Sequence, residues 1–156
     1  MTTTDLETTV RELADQRDAL DALLRFGAGQ DLQDEELFRS AFAEDAVLDF
    51  TQPAETFGAT ISPMKGIEEI AVILTTLEPL LTTHTVTNPR IDLDGDAAQL
   101  FALVEAQHVR RDDPTRHLLL KNVYWVDLSR AGSQWVIDVM TIHNVWHDGD
   151  PTVLFG

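Results

Sequence analysis

The second half of the chain alternates apolar and polar residues over four long segments, and this pattern constrains the fold more than any other feature. The segments are HTVTNPRIDL (84–93), AAQLFALVEAQHVR (97–110), HLLLKNVYWVDL (117–128) and QWVIDVMTIHNVW (134–146). The tripeptides Asp-Gly-Asp, Asp-Asp-Pro and Ala-Gly-Ser separate them. A period of two predicts β-strands, and these tripeptides favour turns. We therefore predict a four-strand antiparallel meander.

The N-terminal part of the chain has helical spacing instead. Apolar residues recur every three or four positions over residues 5–28, which predicts a helix, and Gly27 and Gly29 predict its end. A second, short helix is predicted at residues 37–42, where the apolar residues again share one face.

One strand and one further helix are predicted before the meander. The strand is AVLDFTQP (46–53), and Pro53 stops it because proline cannot donate to a sheet. The helix follows Gly66 and covers residues 67–81. These elements predict an α+β domain in which a curved antiparallel sheet is wrapped on three N-terminal helices. Such a fold has the shape of a cone with one deep cavity.

The composition indicates one domain over residues 1–156, because 44% hydrophobic residues can supply a single core. The chain has no cysteine, which excludes disulfides and thiolate chemistry. No apolar run approaches the roughly 20 residues that span a bilayer. The N-terminal residues MTTTDLETTV lack the pattern of a signal peptide. We therefore expect a cytoplasmic protein.

The charge is strongly negative. The chain has 27 acidic and 11 basic residues, for a net charge of −16. Such a charge repels phosphate backbones and anionic lipids, so we expect neither nucleic acid nor a membrane as partner. The acidity is typical of a soluble surface, and it also favours a neutral or cationic small-molecule substrate.

Several residues, together with the order of elements, resemble a known family. They are Asp31 in GAGQDLQDEELFRSAFAEDAVLDF, His84 and Asn88 in HTVTN, the Asp-Gly-Asp turn, and QWVI at the start of the last strand. Over about residues 8–150 the chain resembles the SnoaL-like, scytalone dehydratase-like family of the nuclear transport factor 2 superfamily. Its members include polyketide cyclases, bile-acid dehydratase and hexachlorocyclohexane dehydrochlorinase.

The resemblance implies that Asp31 and His84 form a general-base dyad. A neutral imidazole can accept a proton near neutral pH, and a carboxylate on its other nitrogen orients the ring and stabilises the imidazolium. Structural alternatives stay open for each residue. Asp31 or Asp34 could cap the helix near Glu35, and a lone histidine on a strand can be an ordinary polar residue.

Further candidates for substrate binding lie on the predicted meander. Val104, Ala106 and His108 share one face of their strand, and the resemblance assigns this face to the cavity. His108 could donate to a leaving oxygen or a carbonyl, or could lie at a solvated rim. Tyr124 is a second possible donor, although strand alternation does not decide which face of the sheet its side chain occupies. Asn88, four residues after His84 in the chain, is a further candidate for substrate binding.

We predict no metal and no organic cofactor. His84 and His108 lack a clear carboxylate as third ligand, and the related dyad enzymes work without metal. His143 and His147 stand four apart on a predicted strand and tail, and receive no role. The stretch Asp138-Val139-Met140 lacks the cavity arginine of some dehydrochlorinases and dehydratases, which favours other donors for developing negative charge.

Three functions are compatible with these residues. The first is a cofactor-free lyase or isomerase in which His84 removes a C–H proton from a small hydrophobic substrate, as in a dehydratase. The second is a polyketide-type cyclase that uses the same base. The third is a non-catalytic ligand-binding or oxygenase small subunit-like module.

Two further expectations concern the surface. The resemblance, with apolar candidates Leu103, Val109 and Trp125 on the outer sheet face, predicts a homo-oligomer, with a trimer favoured. The tail PTVLFG (151–156) could cover the cavity mouth or a neighbouring subunit.

Overall fold

A computed structural model of the chain describes residues 2–155; Met1 and Gly156 lie outside this range. Within it the fold combines five helices and six strands. The elements are α1 (Thr3–Leu32), α2 (Glu35–Ser40), β1 (Phe42–Asp49), α3 (Thr51–Thr56), β2 (Met64–Lys65), α4 (Ile67–Leu77), β3 (Leu80–Asp94), β4 (Ala97–Arg110), β5 (His117–Ala131), β6 (Gln134–Gly149) and α5 (Thr152–Phe155).

All six strands form one curved, open sheet in the order β2-β1-β6-β5-β4-β3. The predicted meander is confirmed, since β3 to β6 pair successively and antiparallel. The early strand β1 joins the other edge of the meander by pairing parallel with β6. The sheet is therefore mixed and not purely antiparallel. Register shifts within the pairs mark bulges, which add curvature to the sheet.

The first helix is longer than predicted. It passes through Gly27 and Gly29 and ends at Leu32, where Gln33 adopts a left-handed conformation with φ 54°. The two glycines serve close packing: a Cβ on Gly29 would come within 2.6 Å of the Phe38 backbone. The prediction that these glycines end the helix was wrong, because a glycine inside a helix can also allow another segment to pack closely against it.

Two other predicted boundaries were wrong for identifiable reasons. Pro53 does not stop a strand, since it is the third residue of α3, where the first backbone N–H groups lack intrahelical acceptors anyway. The helix α4 ends at Leu77 and not at residue 81. Pro79 follows, and the chain from Leu80 onwards pairs with β4.

The core lies between α1, α2 and the concave face of the sheet. On α1, Ala19, Ala22, Leu23 and Phe26 are buried at helical spacing. The ring of Phe26 lies 5.7 Å from the ring of Phe38. Burial of each such large side chain contributes about 1.5–3 kcal/mol to stability. This packing fixes the C-terminal part of α1 against the sheet.

A buried arginine anchors the same helix. Arg25 is 7% exposed, and its guanidinium donates to the backbone carbonyls of Ser40 and Trp135. It also forms an ion pair with Asp21 at 2.9 Å. Since these bonds tie α1 to β6 and to the end of α2, they set the position from which the last turn of α1 reaches β3.

Candidate active site

A cavity of about 500 Å³ lies between the concave face of the sheet, α1, α4 and α5. Its wall is mostly apolar, with side chains such as Phe26, Leu120 and Ile142. The polar or titratable residues in its lining are Gln30, Glu69, Thr76, His84, His108, Asn122 and Tyr124. None of its lining residues, all of which belong to the described part of the chain, is lysine or arginine. A cavity of this kind suits a small hydrophobic molecule with a few polar groups.

Asp31 and His84 meet at the wall of this cavity. Asp31 is in the last turn of α1, and its Oδ1 lies 2.7 Å from Nδ1 of His84 on β3. The other oxygen, Oδ2, accepts from the His84 backbone N–H at 2.8 Å. Because a carboxylate only accepts, Nδ1 of His84 carries a proton in this contact. Nε2 is then the nitrogen free to act on a molecule in the cavity.

Thr82, which the sequence analysis missed, completes the surroundings of the carboxylate. Its hydroxyl donates to Oδ1 of Asp31 at 2.9 Å. Burial tends to raise the pKa of Asp31, but the bonds and charge of His84 and the bond from Thr82 outweigh it and lower the pKa. Thr82 lies two residues before His84 on the same strand, so strand alternation was the signal that could have identified it.

Asp31 is not the helix cap that was considered as an alternative. Asp34 caps α2, where its Oδ1 accepts from the backbone N–H of Leu37 at 3.0 Å. A carboxylate in the last turn of a helix is disfavoured by the helix dipole. The three donors on Asp31 therefore stabilise a charge in a place where helix stability alone would not favour it.

His108 lies in the cavity wall and not at a solvated rim. It is 4% exposed, and its ring centroid is 6.0 Å from that of His84, with the rings nearly perpendicular. Burial, together with the positive charge that His84 can carry, lowers the pKa of His108 to about 4. His108 is therefore neutral near pH 7. Its Nδ1 is 3.4 Å from the carbonyl oxygen of Leu118, which favours a proton on Nδ1 and leaves Nε2 as an acceptor.

Tyr124 also faces the cavity, which settles the face that alternation left open. It is 3% exposed, and its ring lies 6.2 Å from that of Phe26. Burial raises the pKa of Tyr124. The phenol therefore keeps its proton throughout the neutral range and can act as a hydrogen-bond donor.

Of the remaining candidates, only Ala106 lines the cavity. Val104 is buried on the same strand face but belongs to the core cluster, because the cavity reaches β4 only near its C-terminal end. Asn88 is exposed, with φ 51°, at a bulge between Thr87 and Arg90. Neither Asn88 nor Val104, which were expected to bind substrate, therefore lines this cavity.

The C-terminal segment contributes to the cavity as well. Leu154 and Phe155 of α5 line it, and the ring of Phe155 stacks on Phe57 with centroids 5.0 Å apart. Of the two places considered for the tail, the structure shows the one over the cavity, up to Phe155. His147, which received no role, lies 4.7 Å from the ring of Phe57 and outside the cavity lining.

In residues 2–155 no group of three or more His, Cys, Asp or Glu side chains is arranged to hold a metal ion. No helix in the same range has the length and apolar character needed to cross a membrane.

Comparisons with known proteins agree with the fold. A family model described as the SnoaL-like domain matches residues 11–141, and the chain therefore belongs to the SnoaL-like family. The terrestric acid biosynthesis cluster protein E of Penicillium crustosum is 31% identical over 143 residues, which is 86% of this chain and 86% of that protein.

Solved structures show the same architecture at lower identity. A proposed scytalone dehydratase of Novosphingobium aromaticivorans has a TM-score of 0.79 at 16% identity, with 91% of each chain covered. The type 3 hexachlorocyclohexane dehydrochlorinase of Novosphingobium barchaimii has a TM-score of 0.74 at 17% identity, with 92% of this chain and 94% of that chain covered. At these identities the likeness establishes the shared fold.

Proposed function

We propose that the protein is a cofactor-free lyase or isomerase, in which the pair of Asp31 and His84 removes a C–H proton from a small hydrophobic substrate. The observation that carries this proposal is the 2.7 Å contact between Asp31 and Nδ1 of His84 at the wall of an apolar cavity. This contact orients the ring with Nε2 available and places a carboxylate where an imidazolium would form.

The reaction follows from this arrangement. Nε2 of His84 takes the proton, and the C–H electron pair forms a new double bond. In a dehydration the bond to a hydroxyl group breaks, and that group leaves as water after it receives a proton. The apolar wall strengthens electrostatic interactions in the site, since it excludes bulk water. Asp31 stays ionised because its bonds lower its pKa, and it stabilises the imidazolium.

The relatives support an enzymatic role of this kind. The structural neighbours include a proposed scytalone dehydratase and a dehydrochlorinase, whose names describe eliminations. The fungal relative is named for a biosynthesis cluster, which favours a role in the modification of a small organic acid or its precursors. A cyclase is a second candidate, because the same base would produce an enolate that closes a ring.

A binding module without catalysis is less compatible with the contacts of Asp31. A carrier would need no ionised carboxylate at the C-terminal end of a helix, held by three donors against an imidazole.

We further propose that the protein acts in the cytoplasm as a homotrimer. Exposed apolar residues, Trp125 on the sheet and Val10 and Leu13 on α1, support association.

Hydrogen–deuterium exchange tests the base without knowledge of the product. A panel of small ketones and β-hydroxy ketones is incubated with the protein in D₂O, and deuterium at carbon is measured by mass spectrometry. We expect the wild type to accelerate exchange or elimination for part of the panel and His84→Ala to lose this acceleration. Exchange that persists in His84→Ala would show that another group is the base.

A further inference from the structure

Gln30, near the end of α1, is a buried polar side chain in the wall of the cavity. It is 4% exposed, and it lines the cavity together with Phe26, which lies one helical turn before it. The Nε2 atom of Gln30 donates to the backbone carbonyl of Phe26 at 3.1 Å. Among the hydrogen bonds of residues 2–155, none reaches the Oε1 atom of the same amide.

The bond to Phe26 decides which atom of the amide meets the cavity. A carbonyl oxygen can only accept, so the amide atom beside the Phe26 carbonyl is the nitrogen, and Oε1 occupies the other branch of the amide. Oε1 is not among the side-chain atoms of residues 2–155 that are both enclosed and without a partner. It therefore borders open space, and for a residue of this burial that space is the cavity.

The fold itself does not require an amide at this position. Methionine or leucine would form the helix as well, and the backbone of α1 supplies its own hydrogen bonds. An acceptor in an apolar wall is removed from bulk water, so it needs a partner inside the cavity. Water can fill this role before a ligand binds, but a ligand that displaces the water must replace its hydrogen bond or bind more weakly. The acceptor thus selects a ligand that can donate.

Gln30 and the imidazole of His84 border the same part of the cavity. The ring of Phe26 lies 6.2 Å from the ring of His84, and side chains one helical turn apart, such as Phe26 and Gln30, are neighbours at about 5–6 Å. Gln30 also directly precedes Asp31, which holds the imidazole. A compact molecule that reaches Nε2 of His84 can therefore also reach Oε1 of Gln30.

We propose that Gln30 is a specificity-determining residue, whose Oε1 accepts a hydrogen bond from a hydroxyl group of the substrate. The proposal rests on the proposed function, since the hydroxyl belongs to the same molecule from which His84 removes a proton. The site favours an alcohol, enol or phenol over the matching ether or hydrocarbon, because only the hydroxyl can donate. A deprotonated oxygen is disfavoured too, because Oε1 and the carboxylate of Asp31 both repel a negative charge.

The test uses three probes with one ring system. The probe 2-naphthol carries a hydroxyl group, 2-methoxynaphthalene keeps the oxygen but cannot donate, and 2-methylnaphthalene has neither oxygen nor donor. Binding of each probe is measured by its own fluorescence near pH 7, where the hydroxyl of 2-naphthol keeps its proton. The three affinities separate the hydrogen bond that the hydroxyl donates from the effect of the oxygen and from the effect of shape.

Gln30→Met keeps the length and helix propensity of the side chain but removes the amide. We expect this variant to bind 2-naphthol about threefold to tenfold more weakly, the usual net effect of one neutral hydrogen bond, and both other probes within about twofold of wild type. Gln30→Leu should give the same pattern, so the result does not depend on one variant. Gln16→Leu, on an exposed turn of the same helix, is the matched control and should leave all three affinities unchanged.

Several binding results would overturn the proposal. Equal weakening of all three probes would show that Gln30 only shapes the wall of the cavity. Joint weakening of 2-naphthol and 2-methoxynaphthalene would show that the amide donates to the oxygen and does not accept from the hydroxyl. Unchanged binding of 2-naphthol in the Gln30 variants would place its hydroxyl on another acceptor, such as Nε2 of His108. A wild type that does not bind 2-naphthol would also contradict the proposal.

Failure of the proposed base gives a different result, because the binding assay needs no turnover. If 2-naphthol binding depends on Gln30 while His84→Ala keeps full exchange activity, the role of Gln30 stands and the base is another group. If His84→Ala loses exchange activity while 2-naphthol binding ignores Gln30, the base stands and the hydroxyl is bound elsewhere.

Discussion

Gly27 on α1 lies directly against His84 on β3. A Cβ on Gly27 would come within 3.1 Å of the Cβ of His84 and 3.8 Å of its Cγ. The missing side chain thus lets the helix approach the strand closely, four residues before the same helix presents Asp31 to the imidazole. A helical glycine, which costs about 1 kcal/mol relative to alanine, is here tied to the geometry of the site.

Gly27→Ala should separate activity from stability. The added methyl group improves helix propensity by about 1 kcal/mol, and this offsets the cost of moving His84 by a few tenths of an ångström. We expect a melting temperature near that of the wild type and a fall in kcat/KM of about tenfold or more, since small displacements of a catalytic group are costly. Circular dichroism melting and turnover assays on the same preparation check both values.

Gly29→Ala is the matched control. Its Cβ would lie 2.6 Å from the backbone of Phe38, which cannot move aside as a flexible side chain can. This variant should lose stability markedly, by about 1–3 kcal/mol or more, as expected for overpacking. If instead Gly27→Ala melts as poorly as Gly29→Ala, the glycine at position 27 serves packing alone.

The buried His108 predicts how stability depends on pH. Its pKa is lowered to about 4 in the folded protein, against about 6.5 for an exposed histidine. Below pH 6.5 the unfolded chain binds a proton that the folded chain does not, so stability falls as the pH drops from about 6.5 to about 4. The full effect is about 3 kcal/mol. His108→Gln should therefore lose less stability between pH 7 and pH 4 in urea unfolding.

His143→Gln is the control for that measurement, because His143 is exposed on β6. It should keep the pH dependence of the wild type. A His108→Gln variant with an unchanged pH dependence would show that acid destabilisation comes from other groups. His108→Gln should also retain measurable turnover, whereas His84→Gln should not; the reverse order would assign the base to His108.

The strands were the part of the fold most open to prediction. The segment 97–110 was predicted with the bounds that β4 has, because alternation and turn residues act locally. The errors occurred where distant contacts decide. Gly29 lies inside a helix because the backbone of Phe38 packs where a side chain on Gly29 would be. The strand β1 pairs parallel with β6, which lies about ninety residues later in the chain.

In the candidate site, too, local patterns predicted some residues, whereas others depend on contacts that are distant in the chain. Alternation and resemblance identified His84, His108 and Ala106 as cavity residues. Asn88 does not line the cavity: it is exposed at a bulge, which depends on pairing with β4. Thr82 was missed although it lies two residues before His84 on the same strand face. Its importance depends on its hydrogen bond to Asp31, a partner that the linear sequence does not reveal. Asn122, which lines the cavity, was missed although it lies two residues before Tyr124.

The outer face of the sheet leads to a prediction about assembly. Trp125 is 54% exposed and packs on Phe101 with ring centroids 4.8 Å apart. An apolar surface of this kind favours association. Sedimentation at micromolar concentration should show a trimer, and Trp125→Glu should shift it towards smaller species without loss of folding. A wild type that sediments only as a monomer would contradict the proposed trimer.

Asp31 and His84 should act as one unit, so the effects of their substitutions should not add. His84→Ala should lower kcat/KM by about 10² to 10⁴, the usual contribution of a general base. Asp31→Asn should cost less, because an amide can still accept from Nδ1 but stabilises the imidazolium poorly. Without the imidazole, Asp31 has no base to support, so the double variant should resemble His84→Ala alone.

Thr82→Val provides the control for this cycle. It removes the donor at 2.9 Å from Oδ1 of Asp31 while leaving both contacts of His84 in place. Since the bond from Thr82 is one of several that lower the pKa of Asp31, its loss should reduce kcat/KM by less than Asp31→Asn does. Circular dichroism verifies the fold of every variant. If the losses of Asp31→Asn and His84→Ala multiply in the double variant, the two residues act independently, and Asp31 serves the fold and not the base.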